Sequence, residues 1–120
     1  MFQRISIIGN LGTDPVMRYT EDGMPVTSFS VATNEQWGSG EEKKKRTTWF
    51  RVTAWQKLAK PCNDYLRKGS KVFVEGTLTP DPETGSPRVW EKDGKWHTSY
   101  ELRAQTVKFL DSKQEERDGN

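Results

Sequence analysis

Apolar and polar positions alternate with a period of two along most of the chain, in short runs broken by Gly, Pro and Asp-Gly pairs. Ile5-Ser6-Ile7-Ile8 is a β-branched run that stops at Gly9-Asn10-Leu11-Gly12, which predicts a strand followed by a kinked turn, with Asp14-Pro15 reinforcing the break. Val16 to Tyr19 reads as a second short strand and Asp22-Gly23 as a tight hairpin turn. Val26 to Asn34 follows as a strand with Phe29, Val31 and Thr33 on one face. Thr47 to Trp55 alternates most cleanly: Phe50, Val52 and Ala54 point one way, while Trp49, Arg51, Thr53 and Trp55 point the other. Between these two runs, EQWGSGEEKKKR at 35–46 has the composition of a loop and predicts a projecting hairpin arm.

The period turns helical only over residues 56–68, where Leu58, Cys62, Tyr65 and Leu66 share a stripe and Gly69 is placed to end it. Pro61 fits if the helix begins within its preceding turn, where amide hydrogens lack partners anyway. Lys71 to Thr79 is again strand-like, with Val72, Val74, Gly76 and Leu78 on one face. Pro80, Pro82, Gly85 and Pro87 make an irregular loop. Arg88 to Glu91, the Asp93-Gly94 turn and a long segment from Lys95 then predict a final hairpin. In that last segment the apolar positions run Trp96, Tyr100, Leu102, Ala104 and then change phase to Val107 and Phe109, as a β-bulge would produce.

The order β-β-β-α-β-β predicts an all-β fold: a five-stranded OB-type barrel with one short α-helix after the third strand and extended hairpin loops. An SH3-like barrel, or a sheet with one covering helix, fits the strand count almost as well. Residues 1–111 form one domain on this reading, and residues 112–120 a disordered polar tail.

Composition narrows the function more than the fold. With 120 residues and 32% hydrophobic residues the chain has one thin core, yet it carries five Trp, three Tyr and five Phe, so some rings must lie near the surface. Residues 111–120 hold four acids and two bases, which leaves 17 bases against 13 acids in residues 1–110, a mild basic bias compatible with phosphate contact. No apolar stretch approaches a membrane span and MFQRISIIGN lacks the features of a secretory signal, so a soluble, intracellular protein without membrane partners is expected. One cysteine, Cys62, and one histidine, His97, exclude an intrachain disulfide and a Cys/His zinc site.

No catalytic constellation emerges, and neither an enzymatic activity nor a cofactor is expected. Gly9 and Gly12 lack the GxGxxG spacing and a following helix, and read as backbone-turning residues. Cys62 lies on the buried stripe of the helix and His97 in the last hairpin, which favours packing and surface roles over chemistry. What remains is aromatic residues interleaved with bases. Rings on which successive bases stack, with Lys or Arg tracking the backbone, are the means of holding single-stranded nucleic acid. Trp49, Arg51 and Trp55 offer both elements on one pleated face, with Lys57 just beyond. Trp37 beside the arm and Trp90 with Arg88 would extend the track, although the residues alone leave both rings open between stacking and packing. The basic run Lys43 to Arg46 reads as a solvated loop.

Three segments, IIGNLGTDPVMRYTEDGMPVTSFSVAT, TTWFRVTAWQKLA and YLRKGSKVFVEGTL, resemble in order and spacing the bacterial and organellar single-stranded DNA-binding protein family, over roughly residues 3–110. The resemblance implies an OB-fold that assembles as a homotetramer, a dimer of dimers, and coats single-stranded DNA without sequence preference in replication, recombination and repair. It implies no catalysis, and a place in the bacterial cytoplasm at the nucleoid, or in an organelle. By position Trp37, Trp49 and Trp90 match the family's stacking tryptophans, and Trp55 falls where many members have a stacking phenylalanine. Arg4, Arg18, Arg51, Lys57, Arg67, Lys68 and Arg88 align with basic positions near the DNA path. Three departures stand out: Phe50 replaces a histidine common near a subunit interface, the Pro80 to Pro87 segment resembles an insertion, and the sequence to Asn120 carries none of the acidic, apolar tip through which most members recruit enzymes.

Overall fold

The computed structural model describes residues 1–111, so the predicted tail at 112–120 lies outside the described residues. Eight strands and one α-helix are present among them: β1 (Ile5–Leu11), β2 (Val16–Tyr19), β3 (Pro25–Trp37), β4 (Lys44–Trp55), α1 (Ala59–Tyr65), β5 (Lys71–Leu78), β6 (Val89–Lys92), β7 (Lys95–Thr98) and β8 (Tyr100–Phe109). The main sheet runs β1-β5-β8-β4-β3-β2, and a further β1–β3 pairing at Asn10↔Ala32 and Leu11↔Val31 closes its first five strands into a barrel. β4 and β8 are parallel, while the other pairs of this sheet are antiparallel. With a short helix between the third and fourth barrel strands, this is the predicted five-stranded OB-fold.

Alternation explains the interior. Phe29 and Val31 of β3, Val52 and Ala54 of β4, Val72 and Val74 of β5, and Leu102 and Ala104 of β8 point inward and are buried, joined by Ile7 and Leu11 of β1 and by Cys62 and Leu66 at the helix. The phase change expected in the last strand is a β-bulge: Glu75 pairs with Thr106 but Gly76 with Ala104, which leaves Gln105 unopposed and returns Val107 and Phe109 to the core side.

Several local expectations change. β1 does not stop at Ile8 but continues to Leu11, because Gly9 is not a turn residue. A Cβ there would strike the carbonyl oxygen of Ala32, so glycine is what lets β1 cross β3 at the barrel seam. The helix is shorter than residues 56–68: Gln56–Leu58 is a 3₁₀ turn, the α-helix begins at Ala59, and Pro61 therefore sits in its first turn. The buried hydroxyl of Thr27 donates to the Ala59 carbonyl at 2.6 Å and ties the helix start to β3. The arm at 35–46 is paired strand almost to its tip, with the register held from Val26↔Trp55 to Trp37↔Lys44. The segment from Lys95 is not one strand. It breaks at Ser99, and β6–β7 form a separate two-stranded sheet around Asp93 and Gly94, both with positive φ (54° and 76°).

Candidate nucleic-acid interface

The outward face of β4 is the centre of the site, and its registers build rows across the sheet. Arg18, Val26 and Trp55 form one row; Val16, Ser28, Thr53 and Arg103 the next; Ser30, Arg51 and Glu101 a third; and Ala32 lies beside Trp49 in the last. Directly paired residues share a face, so β2, β3, β4 and β8 present two indoles, three guanidinium groups and small hydroxyl residues on one surface. Trp49 is 51% exposed and Trp55 half-buried. Arg18 and Arg51 line one concavity with Thr13, Asp14, Ser28 and Ser30. Trp49 lines another with Thr47, Thr48, Pro87, Ser99 and Tyr100. Opposite it, Phe50 keeps to the core side, its ring 5.6 Å from that of Tyr100.

The other expected ring positions lie on the two hairpins, and the β3–β4 register sets Trp37 with Glu35 and Arg46 on the side of the arm opposite Trp49 and Arg51. Trp37, exposed at the base of the arm's turn, carries the Arg46 guanidinium 4.9 Å from its ring centre, and Arg46 in turn donates to Glu35 at 2.8 and 3.0 Å. Arg46 is thus not part of a solvated loop but holds an indole in place. Trp90 lies half-buried on β6 with Arg88 at 4.7 Å and with His97, its register partner, stacked at 5.8 Å. Alternation puts Arg88, Trp90 and Lys92 of one strand with Lys95 and His97 of the other on a single face of that hairpin.

The basic positions divide. Arg18 and Arg51 belong to the β4 face, and Lys57 is exposed in the 3₁₀ turn directly after Trp55, where Gln56 takes a left-handed conformation (φ 53°) that bends the chain sharply out of β4. Arg67 and Lys68 are exposed in the turn after α1, which reaches the rim of the Arg18/Arg51 concavity through a hydrogen bond from the Lys68 amide to Asp14 Oδ1 (2.8 Å). Arg88 joins through the β6–β7 hairpin. Arg4 stands apart: it precedes β1 on the β1–β5 side, 3.5 Å from Glu75, and lies on none of the rows of the β4 face.

Two residues escaped the sequence reading. Arg103 of β8 places its guanidinium 5.1 Å from the Trp55 ring, completing the pattern of one arginine over each of Trp37, Trp55 and Trp90. Outward alternation along β8 marks Arg103 as surface, but only the parallel β4–β8 register brings it to Trp55. Trp96, expected among the apolar positions of the last strand, is instead 71% exposed on the hairpin face opposite Trp90.

A closed five-stranded OB barrel whose outer face and hairpins carry indoles under guanidinium groups defines a class, the small OB-fold domains with a basic, aromatic surface. Within that class the chain belongs to the single-strand binding protein family, whose model matches residues 2–110. It is 36% identical over 117 residues to single-stranded DNA-binding proteins of two Neisseria meningitidis strains, and spans 97% of this chain but 64% of theirs. Single-stranded DNA-binding protein 1 of Xylella fastidiosa is also 36% identical, over 93% of this chain and 79% of its own length. Among solved structures, the small single-stranded DNA-binding protein of Streptomyces coelicolor superposes with a TM-score of 0.74 at 27% identity, covering 89% of this chain and 93% of that one. A Plasmodium falciparum family protein in complex with single-stranded DNA gives 0.72 at 32% identity, covering 92% and 96%.

Proposed function

We propose that this chain binds single-stranded DNA without sequence preference, coating and protecting exposed strands in replication, recombination and repair, and that it performs no catalysis. The observation that carries the reading is the β4 face. Trp49 and Trp55 flank Arg51 on one strand, with Arg18 in the row of Trp55 and Arg103 in the row between Trp55 and Arg51, so stacking surfaces and phosphate partners alternate along one path. Trp90 extends that path onto the β6–β7 hairpin and Trp37 offers a further ring on the other side of the β3–β4 arm, with Lys57, Arg67, Lys68 and Arg88 along the path's borders. No base-edge reading is needed, since every base has a π-face and every phosphate a charge.

The working form is a homotetramer, located with the nucleoid in a bacterial cytoplasm or with organellar DNA. Support comes from β1, whose edge over Ile5–Gly9 has no strand partner among the described residues and which exposes Ile8; symmetric partners cover such edges. Light scattering of a tetrameric mass at micromolar concentration is the expected result, and a monomer would reject assembly.

Titration with oligothymidine, followed by tryptophan fluorescence at several salt concentrations, tests the binding itself. Strong quenching is expected, with log affinity falling against log salt by about 0.7 per neutralised phosphate, and with duplex DNA competing poorly. Replacing Trp49 and Trp55 together by Ala should cost at least about 2 kcal/mol of binding at the lower end of the range for stacked bases. An unchanged affinity in a folded double variant rejects the mechanism.

A further inference from the structure

Along the outward rows of β2, β3, β4 and β8, Glu101 is the one acidic residue, set among Arg18, Arg51 and Arg103. Its side chain is only 18% exposed, and a single oxygen, Oε2, accepts from Arg88 Nε at 2.9 Å and from Ser99 Oγ at 3.0 Å. Its register partner on β4 is Arg51. Arg88 engages Glu101 through Nε alone, while its guanidinium lies over Trp90 and its side chain stays half exposed. A carboxylate therefore occupies an anion position beside two arginines that, in the function proposed above, meet phosphate.

Resting on that reading, we propose that Glu101 is an internal competitor for the DNA backbone: it holds Arg88 neutralised in the free protein, and a phosphate enters by displacing or sharing that carboxylate. The Arg88–Glu101 pair has no net charge, so a strand crossing it releases fewer counterions than the number of arginines would indicate. Glu101 thus limits affinity and salt sensitivity while keeping the Arg88 guanidinium parked over Trp90. A purely mechanical role, tethering the β6–β7 hairpin to β8, makes the opposite prediction, because loosening the tether would weaken binding.

The test is Glu101→Gln, which keeps the shape and an acceptor for Ser99 and Arg88 but removes the charge, compared with Glu101→Asp and Glu101→Ala in oligothymidine titrations from 0.05 to about 1 M salt. Glu101→Gln is expected to steepen the slope of log affinity against log salt by about 0.7, one phosphate equivalent, which accumulates to about fivefold tighter binding at 0.1 M and vanishes near 1 M. Glu101→Asp should keep the wild-type slope. Glu101→Ala should show the steeper slope despite losing both hydrogen bonds, with thermal unfolding and circular dichroism verifying that each variant is folded. A wild-type slope in the Gln and Ala variants, or weaker binding in both, overturns the proposal and leaves Glu101 as a tether. Wild-type protein that does not bind oligothymidine at any salt removes the underlying function as well.

Discussion

The Trp49 indole rests directly against Gly12: a Cβ added at Gly12 would lie 2.5 Å from Cζ3 and 2.7 Å from Cη2 of the ring. Gly12 follows β1 and its amide donates to the Ser30 carbonyl at 3.1 Å, so the floor under the indole is fixed backbone, while the ring itself is half exposed. In Gly12→Ala the ring is therefore the part that moves. We expect folding to survive with little loss and single-stranded DNA affinity to fall about three- to tenfold, approaching the cost of losing one stacked base. Urea unfolding beside a fluorescence titration checks both, and unaltered quenching would show that the ring's seat does not matter.

Arg103→Gln examines a residue that only the fold reveals. If its charge lies on the DNA path beside Trp55, the salt slope should become shallower by about 0.7 and affinity at 0.1 M salt should drop about fivefold, with thermal stability nearly unchanged because the side chain is exposed. A lower affinity with an unaltered slope would mean that Arg103 merely orients the indole.

What the residues disclose on their own follows from which interactions are local. The Phe50/Val52/Ala54 alternation and the phase change between Ala104 and Val107 are local, and both appear as read: an inward strand face and a bulge at Gln105. Glycines are less transparent. Gly9 beside Asn10 looks like a turn, and only knowing that β3 crosses there shows that close approach is its role. Trp96 fitted an apolar period that the break at Ser99 interrupts, so it left the core for the hairpin surface. Arg46 and Arg103 needed cross-strand register, since each meets its indole from another strand. Trp49 and Arg51 were legible because a single strand carries both.

Gly9→Ala should behave unlike Gly12→Ala, although both add one methyl group. At Gly9 the new Cβ would collide with the backbone oxygen of Ala32 and lie 2.8 Å from Val31 Cγ1, at the seam where β1 and β3 close the barrel. Backbone cannot swing aside as an exposed ring can. A destabilisation of about 2–3 kcal/mol is expected from overpacking at a rigid site, read as a lower midpoint in urea with an unchanged m-value. A loss below about 0.5 kcal/mol would mean that the seam yields, and that barrel closure does not depend on glycine there.

Cys62 links the core to alkaline pH. Fully buried in α1, its thiol is pushed from an ordinary value of 9.0 up to about 12 by desolvation of the thiolate. In the unfolded chain the same thiol ionises near its ordinary value, so between pH 9 and about 12 the unfolded state loses a proton that the native state keeps. The stability this group contributes is fully present below pH 9 and is lost as pH rises through that window, at up to about 1.4 kcal/mol per pH unit. Tyrosine and lysine titrations overlap the range, and Cys62→Ala separates them: the variant is less stable at pH 8, from the cavity, but its deficit should shrink by about 1.4 kcal/mol at pH 10. The folded protein should also resist iodoacetamide at pH 8 until denaturant is added, because only the thiolate reacts. A deficit constant between pH 8 and 10, or modification of the native protein at the rate of a free thiol, would show that the α1 stripe opens to solvent in the native ensemble.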